Sequence, residues 1–215
     1  MAEYGLTEGL EGKIWGPGDQ IILDAIAELR KLKQEGLIRH IGITGYPLPV
    51  LLRLSLLVLH TPPYEPLDVL LNYSHLNLQN STFAIFLPHF RERARIAQLI
   101  TASPLNMGLL TPSQPPWHPA PRTLLEASQK TNEALRDGHN GLPKISLGFA
   151  YRKAEELGIP TVVGLSKMKE VHETIRIWRE LNTEGKEDIA KMRDEEGIAL
   201  KCLEEFQGYS WASPP

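Results

Sequence analysis

Thr44 and Gly45 close a short apolar run in "EGLIRHIGITGYPLP", Glu35 to Pro49. The stretch reads as a helix end, a glycine, a buried strand and a loop that opens on a hydroxyl and a bare backbone. Such a βα corner is where nucleotide-binding α/β enzymes hold their ligands, at the carboxyl ends of the strands. Other chemistry-bearing residues are sparser. His75 follows the next strand candidate, where it either faces a substrate mouth or serves as an ordinary loop histidine. Trp117 and His118 sit in "PPWHPAP", whose flanking prolines favour an extended segment suited to a lid or to packing. Arg91, Glu92, Arg93 and Arg95 read as a solvated helix face, and Cys202 as a small apolar residue on a late helix. No His, Cys or carboxylate set has metal-ligand spacing. Neither a GxGxxG fingerprint nor a P-loop is present.

The elements that must position these residues alternate. Gly16, Pro17 and Gly18 form a loop, and Asp19 is a candidate cap for a helix with Ile22, Ala25, Ile26, Leu29 and Leu32 at helical spacing. Lys31 and Lys33 fall in its last turn, and Gly36 stops it. "LIRHIGIT" is the first strand candidate and "VLLRLSLLVLH" the next helix. "LDVLLNYS" is a strand, "FLPHFRERARIAQ" a helix and "LITAS" a strand. A proline-rich segment, "LLTPSQPPWHPAP", comes next. Helices are expected over Arg122–Arg136 and Ile145–Leu157, then the strand "IPTVVG", the helix "KMKEVHETIRIWRELN" and a charged helix from Glu184 to Phe206. Apolar strands alternating with helices predict βαβ units and a parallel sheet covered on both faces. Four such strands suit a small doubly wound sheet or half of a barrel; a complete (β/α)8 barrel usually needs ~250 residues.

Composition narrows the function classes. The 215 residues carry a formal net charge of −3, with 42% hydrophobic and 23% charged residues. They suit one globular core. Without a Lys/Arg run, neither nucleic acid nor an anionic membrane is expected as a partner. One cysteine rules out an internal disulfide framework and fits a reducing, cytoplasmic setting. The N-terminus lacks the basic start and apolar core of a signal peptide. The most apolar run carries Arg53 and is too short to span a bilayer.

"GLIRHIGITGYPL", "LDVLLNYSHLNLQNS", "ITASPLNMGLLTP", "PPWHPAP" and "IPTVVGLSKMKEVHETI" occur in this order. Together, from about Leu23 to Trp211, they resemble the second half of an aldo-keto reductase. The "TGYPL", "SPLNMGLLT" and "PPWHPAP" stretches bring the likeness nearest the branch that oxidises aldoses such as D-arabinose to lactones. The resemblance implies one domain over residues 1–215 with an α/β fold. That fold is a partial (β/α)8 TIM barrel of strands five to eight, their helices and the C-terminal helix. It implies that the first half of the barrel has no counterpart here. The family's general-acid Tyr, its tuning Lys and Asp, and its His belong to that half. No catalytic residue is therefore assigned: Tyr4 precedes any strand, and Tyr46, Tyr64, Tyr73, Tyr151 and Tyr209 align with other family positions.

The resemblance instead assigns cofactor contacts. Thr44 would hold the nicotinamide carboxamide, where Gly45 lacks the family's amide side chain, and Asn72 is either a second polar contact or a loop-facing polar residue. Ser103 and the backbone of Leu105, Asn106 and Gly108 would wrap the pyrophosphate, since N–H donors bind phosphate without a cationic side chain. Gly164 would permit close approach, and Ser166 would cap the following helix. Glu170 stands where NADP-preferring members carry a base, which favours NAD over NADP; Lys167 and Lys169 act against that preference. Glu173 and Thr174 would contact adenine. A nicotinamide cofactor and a small sugar are the implied ligands, with self-association through exposed barrel edges. The competing expectation is a non-catalytic product that binds nucleotide as a regulatory relic.

Overall fold

The computed structural model describes residues 6–136, 141–183 and 185–211. Tyr4 and Glu184 lie outside them. The chain divides into two compact units. The first holds 1–72 and 83–100, and the second holds 73–82 and 101–215.

In the first unit, helix α1 (Pro17–Gln34) precedes strand β1 (Gly42–Gly45), helix α2 (Leu48–Leu59), strand β2 (Val69–Tyr73) and helix α3 (Phe83–Pro88). A π-helical turn over His89–Arg93 leads into β3 (Gln98–Ala102). Strands β1 and β2 are parallel, with Gly42 opposite Val69 and Thr44 opposite Leu71. A Cβ at Gly42 would collide with the Val69 carbonyl, so only glycine allows this approach. Ile26, Ile41, Val58 and Leu67 form a core cluster with Ile22, Leu29 and Ile43 packed on it, so α1 turns its 3.6-residue stripe inward.

The second unit takes residues 73–82 and, from Thr101 near the end of β3, the rest of the chain. It adds helices α4 (Arg122–Ala134) and α5 (Gly141–Leu157), strand β4 (Thr161–Val162), and helices α6 (Met168–Thr183) and α7 (Lys186–Cys202). The sheet order is β1-β2-β3-β4, and β4 runs parallel to β3 with Thr161 opposite Thr101. The fold class is thus α/β with a parallel sheet, as expected.

Several local expectations change. Asp19 is not the N-cap residue of α1 but its third helical residue, and its carboxylate reaches back to accept the Trp15 N–H at 2.9 Å. Pro17 opens that helix after Gly16, and the Asp19 carboxylate takes two Arg53 guanidinium bonds at 2.7 and 3.0 Å. The helix expected through Gln98 stops at Arg93, because Ala94 closes the π turn with its N–H on the His89 carbonyl. Arg93 is not simply solvated: it donates to the Leu6 carbonyl at 2.8 Å. Strand β1 is exposed at Gly42 and Thr44, alternate residues that share one face, rather than covered on both faces. Cys202 ends α7 exposed to solvent, so it is not a packed apolar residue. Among the described residues no helix is long and apolar enough to cross a membrane.

Candidate cofactor-binding site

In the second unit, β3 ends at Ala102 and the chain turns sharply. Ser103 adopts φ +59°, and its N–H donates to the Val162 carbonyl at 3.1 Å, which seats the turn beside β4. Asn106, Met107 and Gly108 then follow one another in the left-handed region, at φ +51°, +57° and +93°. Three such residues in a row need support, since a non-glycine residue there carries strain. At Gly108 the position itself favours glycine, since a Cβ would meet the Pro115 ring at 2.8 Å.

The turn's hydrogen bonds determine what it can offer a ligand. Asn106 N–H donates to Ser103, Gly108 and Leu110 N–H to Leu105, and Leu109 N–H to Asn106, at 2.8–3.1 Å. Pro104 has no N–H. Leu105 and Met107 are therefore the main-chain donors that these turns leave over. Both residues are half-buried, as is Ser103 with its hydroxyl. Of the backbone contacts expected over Leu105–Gly108, the donors of Asn106 and Gly108 are internal.

Asn106 does more than the sequence suggested. Its side chain is fully buried. Its Nδ2 donates to Gln79 Oε1 at 2.8 Å, and its carbonyl accepts from His118 Nε2 at 3.0 Å. The His118 tautomer follows from its other nitrogen, which accepts the Ala120 N–H at 3.1 Å. Trp211 meets His118 edge-on with centroids 5.0 Å apart, and burial pushes the imidazole below its ordinary pKa. His118 is thus a packed, neutral support. His75 is similar. It is 2% exposed and lies between the Tyr73 carbonyl and the Ser210 hydroxyl at 3.0 Å each. Burial lowers its pKa to about 4.

The second stretch of the site opens α6. Gly164, Leu165, Ser166 and Lys167 are exposed, and nothing lies within 4 Å of where a Gly164 Cβ would be. Ser166 does not cap the helix. Glu170 does, reaching back so that one carboxylate oxygen accepts the N–H groups of Ser166 and Lys167 at 2.8 and 3.2 Å and the Ser166 hydroxyl at 3.1 Å. This is the return half of a capping box. The Ser166 N–H, then its hydroxyl and the Lys167 N–H, hold the Glu170 carboxyl below its usual range. One turn on, Glu173 lies 3.8 Å from Lys169, and Thr174 is half-buried.

In the first unit, Thr44 is exposed near the end of β1. Asn72 is fully buried, and its amide nitrogen donates to the Gly45 and Tyr46 carbonyls at 3.0 and 2.8 Å. That ties the end of β2 to the corner after β1. In the second unit, burial pushes the Tyr151 phenol up to about 12. Such a phenol is a poor proton donor at neutral pH.

Helix and strand periodicity do not reveal the structural role of Gln79. Its signal was the density of amides in "NYSHLNLQNS": Asn77, Gln79 and Asn80 are all fully buried, which apolar periodicity alone does not reveal.

Comparison with known proteins matches residues 10–194 to the aldo/keto reductase family. L-galactose dehydrogenase of Arabidopsis thaliana is 34% identical over 200 residues, covering 93% of this chain and 59% of that protein. D-arabinose 1-dehydrogenase of Saccharomyces cerevisiae is 30% identical over 152 residues, 70% of this chain and 45% of that protein. The chain thus spans about half the length of the curated relatives it matches.

Proposed function

The chain belongs to the aldo/keto reductase family, and from that premise we propose that it forms the nicotinamide-nucleotide-binding part of an aldose dehydrogenase, with NAD preferred to NADP. The observation that carries this reading is the turn after β3. It lies at the carboxyl end of a parallel strand, where α/β folds bind ligands, and its internal bonds leave over the N–H groups of Leu105 and Met107, with the half-buried Ser103 in the same turn. These donors suit a pyrophosphate, which accepts from backbone N–H without a lysine or arginine. NAD, when bound, supplies the hydride acceptor for oxidation of a sugar to its lactone. The names of the relatives, L-galactose dehydrogenase and D-arabinose 1-dehydrogenase, support a five- or six-carbon aldose as the substrate class.

Glu170 supports the cofactor preference. Its carboxylate already takes the N–H groups at the start of α6. A 2′-phosphate there would meet a negative charge, whereas a ribose hydroxyl can donate to it. Gly164 leaves open space for a ligand's approach. Glu173 and Thr174 are assigned to adenine, and Thr44 to the carboxamide, by the family likeness alone. Asn72 supports the corner beside Thr44 through the Gly45 and Tyr46 carbonyls.

The test is calorimetric titration of the purified 215-residue chain with NAD and with NADP, followed by an assay for NADH formation with L-galactose and D-arabinose. The reading expects saturable binding with NAD tighter than NADP. Absence of NAD binding at millimolar concentration would overturn it. Binding without turnover would leave the chain as a nucleotide-binding module without catalysis.

A further inference from the structure

The second unit buries an unusual amount of amide chemistry in one place. The segment Phe206–Trp211, which follows α7, is stitched to residues 75–80. Gln79 Nε2 donates to the Phe206 and Tyr209 carbonyls, and the Gly208 N–H returns to the Gln79 carbonyl at 3.0 Å. Gln207 Nε2 donates to Leu78 at 2.9 Å. Asn80 Nδ2 reaches the Tyr209 carbonyl and the Ser210 hydroxyl, each at 3.2 Å.

Gln79 has a second end. Its Oε1 accepts the Asn106 amide at 2.8 Å, and Asn106 is the first of the three consecutive left-handed residues. One buried side chain thus holds two main-chain carbonyls of the C-terminal segment with its nitrogen and the Ser103–Gly108 turn with its oxygen. Asn106 is gripped from a second side by His118, on which Trp211 packs. Both routes run from the C-terminal segment to the same residue. Gln79 and Asn106 are both fully buried, so each end of the pair has a stake in the other: breaking it leaves buried polar atoms unpaired.

We propose that Gln79 and Asn106 are a positioning pair that couples docking of the C-terminal segment 206–211 to the shape of the Ser103–Gly108 turn, and hence to nucleotide binding there. The last clause rests on the function proposed above; the coupling itself does not. Coupling of this kind is reciprocal: a ligand that orders the turn tightens the segment, and loosening the segment weakens the ligand.

Amide hydrogen exchange on the full chain, without and with NAD, tests this. Asn106→Gly cuts the link and keeps a residue that tolerates φ > 0. It alters the turn alone, yet exchange at Gly208 and Tyr209 should rise about tenfold, the scale of one buried hydrogen bond. Gln79→Ala should do the reverse, speeding exchange at Gly108, Leu109 and Leu110, with the amides of α5 unchanged as the control for folding. If Gln79→Ala fails to fold, Asn106→Gly decides alone. NAD added to the unaltered chain should slow exchange at Gly208. The proposal is overturned if Asn106→Gly leaves Gly208 and Tyr209 within twofold of the unaltered chain. Should NAD not bind, the proposed function fails, and the nucleotide-free exchange still decides the coupling.

Discussion

Glu170 Oε2 accepts the main-chain N–H of Ser166 at 2.8 Å, so the start of α6 is already closed by a carboxylate of its own helix. An anion approaching this helix terminus, an ordinary place for phosphate, would compete with Glu170. Replacing Glu170 by Lys should therefore shift the NADP-to-NAD affinity ratio towards NADP by about tenfold, measured by parallel calorimetric titrations. A ratio that stays put would separate Glu170 from cofactor choice.

Gly108→Ala should damage the turn after β3 twice, through φ +93° and through contact with the Pro115 ring. We expect a stability loss of about 1–3 kcal/mol in urea unfolding and weaker NAD binding. A substitution that leaves both unchanged would mean that the turn relaxes without consequence.

The Asp19–Arg53 pair is nearly enclosed, with side chains 7% and 14% exposed. Arg53→Ala would leave the Asp19 carboxylate uncompensated and cost about 3 kcal/mol, read from the urea midpoint. The pair also sets an acid limit. The Arg53 hydrogen bond is the first cause holding the Asp19 pKa below its ordinary value. That stability is present above the unfolded pKa near 3.8 and is lost as pH falls through the lower folded value. Asp19→Asn should remove this acid-range slope.

His75 sets a milder limit at higher pH. Its folded pKa of about 4 lies below the ordinary 6.5 because burial disfavours the imidazolium. The unfolded chain therefore takes up the proton first. Stability is complete above pH 6.5 and declines as pH falls towards 4, by about 3 kcal/mol if the whole shift is realised. Thermal melts of the unaltered chain and of His75→Gln across that window should show the slope in the first and its loss in the second.

Much of the fold was legible because helix and strand periods are local signals. Ile22, Ile26 and Leu29 at helical spacing announced α1, and the apolar runs before Gly45, Ser74 and Ser103 announced β1, β2 and β3. Strand limits were less legible: "IPTVVG" yields only Thr161–Val162 as strand, because pairing with β3 rather than apolarity decides where a strand ends. The site was legible as chain segments, not as bonds. Serine followed by "PLNMG" marked a turn, but which N–H groups stay available depends on the left-handed run at Asn106–Gly108. Glu170 was legible as a carboxylate near a helix start, yet its return to Ser166 depends on side-chain rotamer. Gln79 was not legible, since its partners at Phe206 and Tyr209 lie far along the chain.

The most direct measurement is an amide proton–nitrogen correlation spectrum of the isotope-labelled chain during titration with NAD. The account predicts the largest shifts at the Leu105 and Met107 amides, with smaller ones at Gly164 to Lys167. Saturation at full NAD occupancy with those amides unmoved would contradict it.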